Sequence, residues 1–172
     1  FVGAWKDMEK AVKMGKVRAL GISNFDANDE VWNTIMKAAT IKPQVLQIEC
    51  HPYAQRLDMR KKAAAEGIQM ECWFPLGGAM SNGALFKDPV IKKIAEAHGK
   101  SPAQIILRWH IQEGFSVIPG ASNPDYIKEN IQIFDFALTD EEMQQMRSLN
   151  KEKRFFNATL EDVEKMVWGA KL

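Results

Sequence analysis

Apolar positions along this chain follow two alternating patterns, one at helical spacing and one in short continuous runs. Trp5, Met8 and Val12, separated by Lys and Glu, predict a helix over 4–14 that stops at Gly15, a glycine suited to a helix C′ position. Residues 17–22 then read as a short, mostly apolar strand ending in Ser23-Asn24-Phe25. Asp26 is placed to cap a helix reaching about residue 39, with Val31, Trp32, Ile35 and Met36 on one face. Beyond Pro43, residues 45–49 predict a second strand, closed by His51-Pro52. A helix over 57–66 ends at Gly67, and 68–74 reads as a third strand before Pro75-Leu76-Gly77-Gly78.

The same grammar continues. Asp88-Pro89 supplies an N-cap and a first-position proline for a helix ending near Gly99. Ser101-Pro102-Ala103-Gln104 is a capping box for a helix through Ile105, Ile106, Trp109 and Ile111 to Gly114. Residues 115–118 form the fourth predicted strand, ended by Pro119-Gly120. Asn123-Pro124 opens another helix, Thr139 with Glu142 caps one more, and Thr159 is placed to start a last short one.

Helix, glycine, strand recurs at Gly15, Gly67 and Gly114, which predicts parallel pairing with helices covering the sheet. Right-handed crossovers bring all strand C-termini to one side, where α/β proteins bind ligands. Ser23-Asn24, 49–53, 75–78 and 119–122 all fall at those ends. A (β/α)₈ barrel needs eight strands and typically about 250 residues. The 172 residues here supply four, so the expected fold is a single α/β domain forming half of a parallel barrel of TIM type.

Composition narrows the function classes. With 23 Lys+Arg against 22 Asp+Glu the net charge is +1, and no basic stripe interleaved with aromatics offers a nucleic-acid footprint. No apolar run approaches the roughly 20 residues of a membrane span. Two cysteines, Cys50 and Cys72, are too few for a disulfide scaffold, so a reducing cytoplasmic setting is expected. The chain starts at Phe1 without a signal-peptide pattern, and a missing beginning is expected.

Several motifs now carry a resemblance. Gly21-Ile22-Ser23-Asn24-Phe25, residues 47–53 (Gln-Ile-Glu-Cys-His-Pro-Tyr) and Pro75-Leu76-Gly77 resemble the aldo-keto reductase family. So do 107–112 (Leu-Arg-Trp-His-Ile-Gln), and Ile127-Lys128-Glu129-Asn130 with Phe134-Asp135-Phe136, in family order over roughly 5–150. The nearest flavour is similar to bacterial reductases of sugar-derived and other small carbonyl compounds. The resemblance implies a (β/α)₈ barrel that binds NADPH in extended form at its C-terminal face, with this chain furnishing strands five to eight. It places Ser23, Asn24 and Gln47 on the nicotinamide carboxamide, and side-chain amides offer the required donor and acceptor together. Trp73 takes the position of the aromatic stacked on the nicotinamide, which closes one ring face and leaves the other to substrate. Phe74 stands where Ser or Gly is common, and Leu76 and Gly77 are expected beneath the pyrophosphate.

The sequence departs from the family after the fourth strand. Where the family has Lys, Ser and, further along, Arg to clamp the 2′-phosphate of NADPH, this chain has Gly120, Ala121 and Tyr126. Ser122, Glu129 and Asn130 remain for ribose and adenine. Charge-assisted bonds contribute about 1.5–3 kcal/mol each, so dual or NADH-leaning use is expected. The family's catalytic Tyr, Lys, Asp and His belong to the first half of its barrel, and no catalytic residue is expected in this chain. Tyr53 and Tyr126 both match non-catalytic positions.

Blander readings hold elsewhere. His51 is expected to pack at a loop end, and neighbouring Cys50-His51 chelate poorly. Gly99-Lys100-Ser101 lacks the phosphate-loop glycine, since position 94 is Ile. Met8, Met14, Met36, Met59 and Met70 are expected to pack, and Lys61-Lys62 and Lys92-Lys93 to be solvated. His98 and His110 need no function. Residues 151–172 are expected to form a tail over or beside the mouth, with Phe155, Phe156 or Trp168 as a lid. The resulting expectation is hydride transfer from NADPH or NADH to a small aldehyde or ketone, with the missing half of the barrel as partner. The alternative is a non-catalytic half-barrel that dimerises with a second copy to bury its two strand edges. An unrelated doubly wound nucleotide binder is disfavoured by the missing glycine fingerprint.

Overall fold

A computed structural model describes residues 1–26 and 28–157, so Thr159 and Trp168 lie outside the described residues. Its elements run α1 (Val2–Lys13), β1 (Gly21–Ser23), α2 (Asp29–Ala38), β2 (Val45–Glu49), α3 (Leu57–Ala65) and β3 (Gln69–Trp73). They continue with α4 (Ala84–Lys87), α5 (Pro89–His98), α6 (Pro102–Gln112), β4 (Ser116–Val117), α7 (Pro124–Ile131) and α8 (Asp140–Ser148). Among the described residues no helix is long and apolar enough to cross a membrane.

The four strands are all parallel and stand in sequence order, β1-β2-β3-β4. This order decides the architecture. Each right-handed crossover steps the same way along the sheet, so successive helices fall on one face, as in a barrel. A doubly wound sheet reverses direction at its first strand, and the four described strands do not.

Strand alternation sorts the side chains accordingly. Ile22, Leu46, Ile48, Met70 and Cys72 point to the helices and join Trp5, Trp32, Ile35 and Met59 in one buried core. A second core links Leu85, Ile91, Ile105, Ile106, Trp109 and Met146 behind the later strands. The opposite sheet face is polar. Ser23 pairs in register with Gln47, Gln47 with Glu71, and Glu71 with Ser116, giving one row across all four strands. Within it the Glu71 carboxylate accepts from Gln47 Nε2 at 2.8 Å and from Ser116 Oγ at 3.1 Å.

The helix caps follow the sequence. Asp88 accepts from the Val90 and Ile91 amides, Asn123 caps α7, and the capping boxes at Ser101 and Thr139 are both closed. Gly15, Gly67, Gly99 and Gly114 all take positive φ at helix ends.

Some expectations are corrected. The first strand begins only at Gly21, because the Leu20 amide is taken by the Gln44 side chain at 2.7 Å. The third ends at Trp73, where Phe74 turns to φ 57°, and the fourth contracts to Ser116–Val117. Asn28, not Asp26, caps α2; Asp26 is paired with Arg56 and lies 3.9 Å from Arg154. On α1, Met8 is exposed while Glu9 is buried, since the Glu9 carboxylate accepts from Trp5 Nε1 and from the Thr40 and Ile41 amides. Met14 is exposed as well, whereas Met36, Met59 and Met70 are buried.

Candidate functional site

The strand C-termini gather most of the expected residues. Asn24 adopts φ 59° immediately after β1, and its amide N–H donates to the Gln47 carbonyl at 2.9 Å. That backbone turn aims the Asn24 side chain toward β3, where Trp73 Nε1 donates to Asn24 Oδ1 at 2.9 Å. Gln47 Nε2 is likewise committed, to Glu71. These bonds fix the polarity of both amides: among the described residues Asn24 keeps its NH₂ free to donate, and Gln47 keeps its Oε1 free to accept. Ser23 is exposed beside them.

Trp73 is half-buried, with Phe74 edge-on at 5.1 Å and Phe156 at 5.5 Å. The Phe74 carbonyl accepts from the Gly77 amide at 2.9 Å, and its apolar ring lies against Gly78, where an added Cβ would meet Phe74 Cζ at 2.6 Å. At Gly77 an added Cβ would lie 2.8 Å from Ser81 Cβ and 2.9 Å from Phe155 Cε2. Both glycines have positive φ, 78° and 51°, so backbone alone fills this turn.

A cavity of about 510 Å³ opens beyond the turn, bounded on one side by Leu76 and Gly78 and on the other by Gly120, Tyr126, Glu129 and Asn130. Nothing lies within 4 Å of a Cβ built on Gly120, so this side is open. Ser122 is exposed and stands outside the cavity lining. Ser101 is a residue the sequence reading credited only with capping. Its hydroxyl also donates to the Glu129 carboxylate, which fixes that carboxylate at the cavity wall. The signal was its place at the start of α6, facing the helix after β4.

Glu49 was part of a quoted motif but had no assigned role. The structure makes it the anchor of the segment after α8. The buried carboxylate accepts from Arg154 Nε at 2.8 Å and from the Phe155 and Phe156 amides at 2.6 and 3.1 Å, and it faces His51 Nε2 at 3.2 Å. Burial alone would raise its pKa, but the hydrogen bonds from His51, Arg154 and the two amides hold it at about 2. Arg154 lies 105 residues away, a separation no sequence motif spans. Phe155 stacks on His51 at 4.5 Å, so His51 does pack at the loop end.

Tyr53 is held away from proton release. The Tyr53 hydroxyl donates to Asp88 at 2.7 Å, and burial together with that carboxylate pushes its pKa up to about 12. Lys151 sits over the ring face at 3.7 Å instead of at the hydroxyl. Tyr126 is 60% exposed at the cavity rim. His98 is paired with Glu142 at 2.9 Å, and His110 is buried between α6 and the sheet.

Comparison with known proteins bears on this geometry. The model of the Aldo/keto reductase family matches residues 2–151. The chain is 41% identical over 157 residues to "Aldo-keto reductase family 1 member A1" of Bos taurus, covering 88% of this chain and 48% of that protein. It is 42% identical over 154 residues to "9,11-endoperoxide prostaglandin H2 reductase" of Trypanosoma cruzi, covering 90% of this chain and 53% of that one. Among solved structures, a mutant of Gox0644 in complex with NADPH superposes with a TM-score of 0.80 at 38% identity, over 87% of this chain and 53% of that chain. The chain thus spans about half the length of the relatives it matches.

Proposed function

Because the chain belongs to the aldo-keto reductase family, we propose that it supplies the cofactor-holding half of a (β/α)₈ barrel, strands five to eight, in an NAD(P)H-dependent carbonyl reductase. The observation that carries this reading is the pair of polarised amides. A nicotinamide carboxamide presents one carbonyl acceptor and one NH₂ donor. Asn24 Nδ2 is free to donate to the first and Gln47 Oε1 to accept from the second, because Trp73 and Glu71 occupy their other ends. Ser23 adds a hydroxyl beside them. The residues fit the cofactor in its remaining parts too: the side-chain-free turn at Gly77-Gly78 leads into the open cavity at Gly120, Glu129 and Asn130.

When bound, the reduced nicotinamide supplies a hydride for an aldehyde or ketone. The chain's own residues bind and orient. Trp73 offers an indole to the back of the nicotinamide, and Phe155 and Phe156, held by Glu49, border the place where substrate enters. The proton for the developing alkoxide comes from the other half of the barrel, since Tyr53 is tied to Asp88 and Tyr126 stands at the far, adenosine side. The loss of both basic groups at Gly120 and Tyr126 supports use of NADH alongside NADPH. Free, buried Cys50 and Cys72 suit a reducing compartment such as the cytoplasm.

The partner is the first half of the barrel. Supporting this, α7 buries none of its residues, and Ile127 and Ile131 are 55% and 66% exposed beside β4. The same surfaces would suit a second copy of the chain, which is the alternative, non-catalytic reading. Calorimetry with NADPH and a glyceraldehyde reduction assay on the isolated chain and on the chain joined to its upstream segment test the proposal. Turnover is expected only with the upstream segment; turnover by a verified single copy of this chain would overturn it. Sedimentation as a stable dimer without that segment would favour the alternative.

A further inference from the structure

Glu9, Glu49 and Glu71 are all shielded from water to some degree, but they are bonded differently. Glu9 accepts from the Thr40 and Ile41 amides and Glu49 from the Phe155 and Phe156 amides, so each ties distant stretches of chain together. Among the described residues Glu71 holds no backbone amide. Its donors are two neutral side chains, Gln47 Nε2 at 2.8 Å and Ser116 Oγ at 3.1 Å. None of the ion pairs among the described residues includes it. Glu71 is half-buried, and taking a carboxylate partly out of water is costly when no cation answers it. For the two hydrogen bonds alone a neutral glutamine would serve. What the carboxylate adds is a charge.

That charge has a definite place. Glu71 is the one charged residue of β3, whose neighbours Met70 and Cys72 point into the helix-covered core. Two residues separate Glu71 from Trp73, so both side chains leave the polar face, about 7 Å apart along the strand. Across the sheet Glu71 stands in register with Gln47. A carboxylate accepting at Gln47 Nε2 polarises the whole amide and makes Oε1, at its other end, a stronger acceptor. The negative charge is thereby passed to the atom assigned above to the nicotinamide NH₂.

The two states of the cofactor differ in charge at this point. A reduced nicotinamide ring is neutral. When a hydride leaves its C4 with both electrons of the C–H bond for the carbonyl carbon of the substrate, the ring left behind is cationic. A carboxamide on a cationic ring is also the stronger N–H donor. Attraction through space and the polarised Gln47 amide therefore favour the same form, the oxidised one.

Given the proposed reductase role, on which this inference rests, we propose that Glu71 is a positioning residue that acts through Gln47 to hold the oxidised cofactor more tightly than the reduced one, and so favours hydride release. Tighter binding of the oxidised form makes the bound couple more reducing. Each tenfold in the affinity ratio corresponds to about 30 mV in its two-electron potential.

The test measures NADP⁺ and NADPH affinities by calorimetry on the chain joined to its upstream segment, in the wild type and in Glu71→Gln. Glutamine keeps an acceptor for Gln47 and Ser116 and removes only the charge. A single charge at this range should count for about tenfold, so NADP⁺ binding should weaken by about that factor while NADPH changes less than about twofold. Ser116→Lys is a second route to the same end, since it sets a cation against an intact Glu71, and it should move the affinity ratio in the same direction. Equal weakening of both cofactor forms would reduce Glu71 to a structural prop, and an unchanged ratio in both variants would show its charge neutralised by the other half of the barrel. Either result overturns this inference and leaves the reductase role standing. Failure of the wild type to bind either form would overturn both.

Discussion

Trp73 Nε1 donates to Asn24 Oδ1 at 2.9 Å, joining two strand ends 49 residues apart in sequence. A tyrosine or phenylalanine ring at position 73 could present a flat face but could not make this bond. The indole therefore does more than stack: it decides which end of the Asn24 amide faces the ligand. Trp73→Phe removes the donor and frees the amide to flip. A neutral hydrogen bond contributes about 0.5–1.5 kcal/mol, so NADPH affinity of the intact enzyme, measured by calorimetry, should weaken about two- to tenfold.

The open wall at Gly120 has room for a side chain, and Tyr126 lines the same cavity. Gly120→Lys with Tyr126→Arg should therefore place two cations at the cavity we propose for the adenosine, without clash. At about 1.5–3 kcal/mol for each charge-assisted bond, the ratio of kcat/KM for NADPH over NADH should rise at least about tenfold. An unchanged ratio would show that the 2′-phosphate lies elsewhere.

Glu49 makes folding sensitive to acid. Its ordinary value of 4.5 is lowered to about 2 in the fold, so the ionised carboxylate favours the folded state. That contribution is complete above about pH 4.5 and is lost as pH falls from there toward about 2. Glu49→Gln should abolish this part of the pH dependence, read by urea denaturation across the window. At neutral pH it should also cost about 1–3 kcal/mol and expose the chain near Phe155 to protease.

Asp88 serves a helix end and a phenol at once, capping α5 while accepting from Tyr53. Asp88→Asn keeps an acceptor for the cap but removes the charge. The Tyr53 phenol, now pushed up to about 12, should then ionise at lower pH in an ultraviolet titration. Asp88→Ala should instead destabilise the protein by about 1–3 kcal/mol.

Gly78→Ala places a Cβ 2.6 Å from the Phe74 ring at a φ of 51°. At a ψ of −165° this is backbone essentially reserved for glycine, and adopting it costs a residue with a Cβ about 1–3 kcal/mol. With the ring displaced as well, thermal unfolding should show a loss of at least that size.

Much of this was legible from the chain because it is written locally. The caps at Asp88, Ser101 and Thr139 and the glycines closing the helices are signals a few residues long, and the structure keeps each of them. The meeting of Asn24 with Gln47 was expected only through the family resemblance. What escaped is long-range or depends on competition. Asp26 reads as a cap until Arg56 and Arg154 take its carboxylate. Glu9 reads as a solvated helix position until Trp5 and two amides from the turn after α2 surround it. The Glu49–Arg154 contact joins residues 105 positions apart, and neither periodicity nor composition encodes such a meeting.

The anchoring of residues 154–156 rests on backbone amides and one arginine; the two phenylalanine side chains take no part in the bonds to Glu49. Position 156 in particular can therefore be exchanged without untying the strap, whereas position 155 also stacks on His51. Attachment is therefore independent of what the side chain at position 156 presents. Under the proposed place of Phe156 at the substrate entrance, a saturation library at residue 156 would vary that border while the attachment at Glu49 stays unaltered.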